Sequence, residues 1–423
     1  MGDWRFSVGN GLALAAGAPV AVSPSAADAV LALSNWASGY PAKVGAFQWR
    51  ADGAYAADCD LNRLASSSLR SDAPTGWWDL PLYMAGTPGL PANAPSWGTF
   101  EGRTALRFYS PVAQDVDVTP GELSRILVGV FLPAASDATA VEVRVTDLTT
   151  GRQWDTAATA WDDDGIVASQ STDDEWLDFA DDIVADVTHK ERRRYRVVVT
   201  PVAATYSATT YAYLSGPALF GAVDTCALIG HNLPLGAVVT LSPQPSGTAI
   251  TLTARQPSCH ATATAAILAQ VWRLGVAIPS ALRASTPAPR IGEVWAGTAR
   301  TFTVQGPASG IGAEESSAGQ ISVENRGQRE VVPDTSRPTV SLTLAFTAPT
   351  DAAFEQVRSE FMRLTRYGSE PMLLLPDASF DPDLLPIHGR VQNKLAWTVL
   401  DRTSGNESAR SFGVPFDESL FAP

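Results

Sequence analysis

Hydrophobic positions along this chain alternate with polar ones far more often than they recur at helical spacing, and the alternation falls into successive blocks. FQWRADGAYAADCDLNRL places Phe47, Trp49, Tyr55 and Leu61 as two short strands would, around a turn at Asp52 and Gly53. Between Thr99 and Leu219, TALRFYSPVAQDVDV, SRILVGVFLP, AVEVRVTDLTTGRQWD and RRRYRVVVTPVAA follow one another at the interval expected of a β-sandwich. The third of these predicts a hairpin whose turn is Thr149, Thr150 and Gly151. From Ala222 onward VDTCALIGHNLPLGAVVTLSPQ, TAITLTARQP, AAILAQVWRLGVAIP and PRIGEVWAG predict a further strand set, up to a low-complexity stretch between Gly306 and Gly319. Beyond it RPTVSLTLAFTAP alternates Val340, Leu342, Leu344 and Phe346. One segment then has helical periodicity: Thr350 or Asp351 can cap it, Phe354, Val357, Phe361 and Leu364 share a face, and Gly368 ends it.

Composition agrees with a mainly β reading. The 423 residues carry 30 Pro, 33 Gly and 12 Trp with 17% charged side chains, a balance of turns and neutral surface that suits sandwiches rather than helical bundles. At roughly 150 residues per domain the length suggests about three units, and 45% hydrophobic content suffices for each to bury a core. A net charge of −14 lacks the broad positive field that nucleic-acid backbones or anionic lipids require. Neither nucleic-acid binding nor membrane insertion is expected, since no apolar run reaches the roughly 18 residues of a membrane span. The opening MGDWRFSVGNGLALAAGAPVAV puts an acid where a secretory leader needs positive charge, so synthesis and folding in a cytoplasm are expected. Three cysteines, Cys59, Cys226 and Cys259, are too few for a disulfide framework and read as reduced, buried thiols.

The chemistry is sparse. His189, His231, His260 and His388 show no metal-ligand spacing, and nucleophile-elbow, phosphate-loop and dinucleotide motifs are absent, so no cofactor is expected. The acidic stretch from Asp162 to Asp186 reads as solvated loops. Its oxygens could take up Ca²⁺, although DDDG lacks the alternate-position pattern of an EF-hand. The same carboxylates would have to face each other across a cleft to make a glycoside-cleaving pair, and nothing in the spacing places them so; the protein is read as a non-enzyme. Trp77, Trp78 and Tyr83 lie in a Pro/Gly-rich connection, and Trp154, Trp161 and Trp176 lie at strand ends or beside acids. Indoles next to carboxylates suit a sugar, which stacks on aromatic faces while its hydroxyls donate to Asp. Trp161, Trp176, Asp163 and Asp174 are therefore the glycan-binding candidates, against the alternative that these indoles fill cores or interfaces.

ALIGHNLPLGAVVTL, followed by QVWRLGVAIP and PRIGEVWAG, is similar to a pattern in phage tail proteins with a galactose-binding-like jelly roll: a Gly-His-Asn-Leu turn, a Trp-Arg-Leu strand and an Ile-Gly-x-x-x-x-Gly strand. The residues concerned are Gly230, His231, Asn232, Trp272, Arg273, Gly292 and Gly297. We read them as structural, with Gly230 at positive φ, Asn232 in the turn and His231 donating a hydrogen bond that locks it. The strand, single helix and Pro-Asp and Gly-Arg-Val strands that follow resemble the tail-ring domain of distal tail proteins of long-tailed phages, the likeness running over about residues 222–414. Unlike the pattern, Asp60-Leu61 and the Gly230 turn stand about 170 residues apart, which implies a second sandwich inserted into a loop of the first, with Cys59 and Cys226 on adjacent strands.

The expected architecture is thus a discontinuous galactose-binding-like sandwich (1–65 and 217–305), an inserted carbohydrate-binding-module-like sandwich (66–216) and a small α+β tail-ring-like domain (306–423). The resemblance implies a virion tail component near the distal end, assembled in a ring, expected to be a hexamer, and in contact with other tail proteins. A glycan-binding adhesin for host surface polysaccharide is the alternative, and a glycoside-active enzyme a minor one.

Overall fold

The computed structural model describes residues 95–119, 121–171, 174–185, 193–255, 258–283 and 291–302, with 5–10, 30–31, 47–49, 54–64, 77–79, 311–316, 320–323, 329–332, 339–365, 371–375, 386–391, 396–402 and 408–418. The chain is mainly β, built of antiparallel sheets with little helix. The turn at residues 52 and 53, Tyr83 and Gly368 lie outside the described residues.

Two sheets enclose the first core. One runs in the order Ile250–Thr253, Val238–Pro243, Val271–Ala277, Ala54–Asp60, Phe47–Trp49, Val30–Leu31; the other holds Ser258–Ile267, Val223–His231 and Ile291–Gly297. Trp272, Leu274, Val239 and Cys59 from the first meet Cys226, Leu228 and Val294 from the second in one buried cluster. Each large apolar side chain so buried contributes about 1.5–3 kcal/mol. Cys226 pairs across to Ala261 and Ala296, so the expectation of Cys59 and Cys226 on adjacent strands is corrected: they face one another from opposite sheets. All three thiols are free and buried, and burial pushes Cys59 up to about 12.

After Asp60 the chain leaves this core and builds another before returning at Ala212–Gly221. A seven-stranded sheet (Ala160–Asp162, Gln153–Asp155, Ala140–Asp147, Arg193–Val202, Val112–Val118, Trp78–Asp79, with Ala168–Gln170 paired to Ala140–Asp147) faces a five-stranded one. The latter runs Trp176–Val184, Leu123–Phe131, Ala212–Gly221, Arg103–Phe108, Ser96–Phe100. Strict alternation along Ala140–Asp147 sends Val141, Val143 and Val145 inward against Val130, Leu214 and Tyr195. The Thr149–Gly151 turn forms as expected, with Gly151 at φ 75° and its N–H donating to Asp147 O. The acidic stretch is not all loop: Asp178, Asp181 and Asp182 lie on the edge strand Trp176–Val184.

The outgoing and returning chains touch. Asn62 accepts hydrogen bonds from Leu64 N and Leu219 N and donates to Pro217 O, bridging more than 150 positions of sequence with one buried amide. Beside it Arg63 pairs with buried Glu122, whose other oxygen accepts from Thr119 N. Glycine is required at Gly221, because a Cβ there would collide with the Glu122 carboxylate. Closure of a long loop costs little when its ends are held together in this way.

The C-terminal sheet runs Arg300–Thr301, Arg5–Val8, Met372–Leu375, Ile387–Val391, Ser408–Glu418, Thr339–Ala348, Ile311–Ser316, with Ala396–Arg402 paired to Ser408–Glu418. The strand Arg5–Val8 thus joins this sheet rather than the first sandwich, in whose 1–65 segment it was placed. The helix Asp351–Arg358 is capped by Thr350 Oγ1, which accepts from Ala353 N, and continues as a wider π turn over Ser359–Arg363. Phe354, Val357, Phe361 and Leu364 are buried on its one face, against Phe6 and Met372. A further short helix, Ser280–Arg283, carries no such periodicity. Trp295 joins the C-terminal sheet to the first sandwich: it is buried with Ile229, Leu373 and Leu375 and donates from Nε1 to Ser7 Oγ at 3.0 Å. Among the described residues no helix is long and apolar enough to cross a membrane.

Candidate functional site

The five-stranded sheet turns one face to its own core and the other outward, and the outward face has two halves. Near the stem, Leu127, Ala218 and Phe220 are packed on the first sandwich's core. Toward the other end, past the irregularity between Ser215 and Ala218 that shifts the phase of the returning strand, the outward positions are Phe100, Arg103, Ala105, Arg107, Gly129, Phe131, Trp176, Asp178 and Tyr213, through the pairings Phe100↔Arg103, Arg107↔Tyr213, Tyr213↔Phe131 and Phe131↔Trp176. No second sheet is packed on this half among the described residues; Phe100, Trp176, Tyr211 and Tyr213 are each partly exposed, and Phe131 among them is buried.

The rings form one continuous patch. Phe100 stacks flat on Tyr213 with centroids 3.8 Å apart, Phe131 stands edge-on to Phe100 at 5.0 Å, and Trp176 lies 5.3 Å from Phe131. Tyr211 meets Tyr213 edge-on at 6.0 Å and Tyr109 lies beside Tyr211. The edge-on contacts among these contribute about 0.5–1.5 kcal/mol each. Small residues make the floor: a Cβ at Gly129 would stand 2.7 Å from Asp178 Oδ1 and 3.3 Å from an Arg103 terminal nitrogen. The Glu101-Gly102 turn that returns Phe100 to Arg103 has positive φ at both residues, 46° and 74°, as a tight primed hairpin demands.

Two arginines sit in the patch. Arg103 lies over the Trp176 ring at 4.8 Å and grips Asp178 with both terminal nitrogens, at 2.6 and 3.1 Å. Arg107, four residues along the same face, is ringed by Tyr211, Tyr109 and Tyr213, its guanidinium carbon 4.3, 4.9 and 5.9 Å from their centroids. It has no carboxylate partner among the described residues, and its buried Nε has no hydrogen-bond acceptor. The Trp176 indole N–H is likewise unpaired. Burial pushes the Tyr213 phenol above its ordinary value, opposed by the Arg107 charge. The surface therefore offers flat apolar faces, a carboxylate and cationic donors side by side.

Of the four residues expected to bind sugar, one belongs to this patch: Trp176. Trp161 packs edge-on against buried Trp154 at 5.4 Å and against Tyr195 at 4.9 Å, and donates from Nε1 to Val184 O. Asp163 is exposed in the loop after Ala160–Asp162, with its N–H donating to Asp162 Oδ1. Asp174, at φ 58°, accepts from Ala134 N. Trp77 and Trp154 are buried in the sandwich core, Trp154 donating to Asp181 Oδ2. No group of three or more His, Cys, Asp or Glu is arranged to hold a metal ion among the described residues. The arginines and tyrosines of the patch were missed; their signal was aromatic and cationic residues on the outward phase of alternating strands, Arg103-x-Ala105-x-Arg107-x-Tyr109 and Tyr211-x-Tyr213.

The Gly-His-Asn-Leu segment lies elsewhere, at the end of Val223–His231. Gly230 has φ 60°. His231 is buried and accepts at Nδ1 from Leu233 N, so it locks the turn as an acceptor rather than as the expected donor, while Nε2 faces Cys259 Sγ at 3.4 Å. Burial pulls its pKa down to about 4. Trp272 is fully buried and Arg273 grips Asp58 across the strand pair. Gly292 and Gly297 lie on Ile291–Gly297, where a Cβ on Gly297 would press on Ser7 Oγ at 2.9 Å.

No family model matches the chain, and no curated protein matches it. Among solved structures it is similar to one described as "CBM4 structure and function", at 12% identity and a TM-score of 0.22, over 34% of this chain and 84% of that one. It is also similar to the N-terminal CBM22-1-CBM22-2 tandem domain of Paenibacillus barcinonensis Xyn10C, at 9% identity and a TM-score of 0.25, over 56% and 97%. Likenesses of this size carry no argument about function.

Proposed function

We propose that the sandwich formed between Asp60 and Gly221 is a carbohydrate-binding module whose ligand lies across Phe100, Tyr213 and Trp176, with buried Phe131 packed among them. The observation that carries this is the open half of the five-stranded sheet, where three strands present the partly exposed rings of Phe100, Tyr213 and Trp176 beside Asp178 and two arginines. Sugar rings bury their C–H faces on such aromatics while charged side chains take the hydroxyls. The carboxylate of this surface, Asp178, is held by both terminal nitrogens of Arg103, and binding is the role proposed for it. The test is a panel of host-surface and plant polysaccharides offered to the full chain by calorimetry. Binding that disappears in Trp176→Ala and Tyr213→Ala variants of native stability supports the assignment, and a panel without any binder overturns it.

Around this module we propose the tail role that the residue 222–414 pattern implies, with the protein in a virion-tail ring with other tail proteins and the module turned toward a host surface. The resemblance of the Gly230, Trp272 and Ile291–Gly297 segments and of the single-helix C-terminal unit supports it. Electron microscopy of the purified protein and of particles tests it. A closed cyclic ring is expected; a monomer absent from particles excludes the role.

A further inference from the structure

Arg107 differs from five other arginines of this sandwich, each of which holds a carboxylate. Arg103 holds Asp178, Arg125 holds Asp182, Arg144 holds Glu142, Arg194 holds Asp117 and Arg196 holds Asp115. In a chain of net charge −14, acids are available to pair with every one of them. Arg107 instead has three tyrosine rings around it and no carboxylate among the described residues, in the middle of the patch to which a ligand is assigned. Stacking on ring faces stabilises a guanidinium without using its N–H groups, which lie in its plane and stay available at its edge. The complement of that edge is a planar carboxylate accepting two parallel hydrogen bonds, and the neighbouring Arg103–Asp178 pair shows this geometry already made on the same sheet.

We infer that the ligand of this face is a carboxylated sugar, whose acid group takes the place at Arg107 that Asp178 takes at Arg103, while Phe100, Tyr213 and Trp176 carry its rings. The inference rests on the carbohydrate reading of the patch and adds its chemical class. The carboxyl can belong to a uronic acid of the main chain or to a sialic-type acid; both present the same group.

The experiment titrates the full chain with oligomers of galacturonate, hyaluronate, alginate and polysialic acid, each beside its carboxyl-reduced or methyl-esterified form, and with neutral xylan and β-glucan oligomers. At least one acidic oligomer should bind, its neutralised form at least tenfold weaker, and Arg107→Gln should remove that preference while Arg107→Lys retains part of it. Which acid binds separates the uronate from the sialate source. Equal affinity for acidic and neutralised forms, or binding lost in Trp176→Ala but unchanged in Arg107→Gln, overturns the acidic ligand and leaves the carbohydrate face standing. No binding by any oligomer overturns both. Should Arg107→Gln fail to fold, the acidic and neutralised pair on the native chain decides alone.

Discussion

The two halves of one sheet face make an instructive pair. Both use the strands Trp176–Val184, Leu123–Phe131 and Ala212–Gly221, but the outward phase of Ala212–Gly221 shifts between them, at the irregularity between Ser215 and Ala218, and only the open half continues onto Arg103–Phe108 and Ser96–Phe100. In the half near the stem Leu127 and Phe220 are covered by the first sandwich, and the residues that seal the seam are saturated: Arg63 and Glu122 hold each other, and Asn62 uses its amide on both passing chains. In the open half the residues are larger and more aromatic but unsaturated, with Arg107 Nε and Trp176 Nε1 both lacking acceptors. A buried polar group left without a partner costs about 1–3 kcal/mol. The sealed half closes its polar groups on one another, whereas the open half leaves Arg107 Nε and Trp176 Nε1 unsatisfied, and the proposed ligand would lie over them.

The largest effect that would break this comparison lies in the seam. Burial alone would raise the Glu122 carboxyl, but the charge and hydrogen bond of Arg63 hold it below the ordinary carboxylate value. Removing it leaves the half-buried Arg63 guanidinium and the Thr119 N–H without their acceptor, so Glu122→Ala should cost about 3 kcal/mol in denaturant unfolding. An equal loss from Asp178→Ala in the open half would show that the two halves do not differ in kind.

Next comes pH. In the unfolded chain a histidine takes up a proton near 6.5, whereas His231 in the fold does so only near 4. The neutral form is the folded one, so its contribution is full above 6.5 and is lost as pH falls from 6.5 toward 4. Between pH 6 and 5 the loss should approach about 1.4 kcal/mol per pH unit, and His231→Gln should remove that share of the slope, measured by thermal unfolding. Sugar binding by the open face should not follow it.

Much of the cores was legible in the sequence, because cores are written as local periodicity. The Val141, Val143, Val145 phase, the Gly151 turn, the Thr350 cap and the Phe354-to-Leu364 stripe are each decided within a dozen residues. Gly230 at positive φ was legible from the turn chemistry alone. The open face was not, since Phe100, Phe131, Trp176 and Tyr213 lie on four strands whose order in the sheet depends on pairings as distant in sequence as Ala105↔Ser215. Trp161 misled for the same reason. A tryptophan at a strand end beside acids has the composition of a sugar site, and only the tertiary fold shows its N–H spent on Val184 O.

A change of middle size sharpens the comparison by separating these two indoles. Trp176→Ala should lower affinity for the bound glycan at least about tenfold, or 1.4 kcal/mol, with a modest stability loss, whereas Trp161→Ala should leave affinity unchanged and lower stability through lost packing on Trp154 and Tyr195. Calorimetry and thermal unfolding on the same preparations read both. The opposite assignment would move the site to the acidic loops.

The smallest effect compares two ion pairs alike in all but place. Arg103–Asp178 and Arg125–Asp182 join the same outward face with both terminal or edge nitrogens engaged, and all four side chains are more than a third exposed. Four residues along an edge strand put the two acids roughly 13 Å apart. Screened by solvent, each pair should contribute only about 0.2–1 kcal/mol, so Asp178→Asn and Asp182→Asn should be nearly indistinguishable in unfolding. They should separate in binding. Asp178→Asn releases Arg103 above the Trp176 ring and so adds a second unpaired guanidinium to the patch, which should tighten a carboxylated oligomer several-fold. Asp182→Asn releases Arg125 at the sealed end and should leave the same titration unchanged. If the two variants shift affinity equally, the response is to net charge alone, and the open half has no special claim on the ligand.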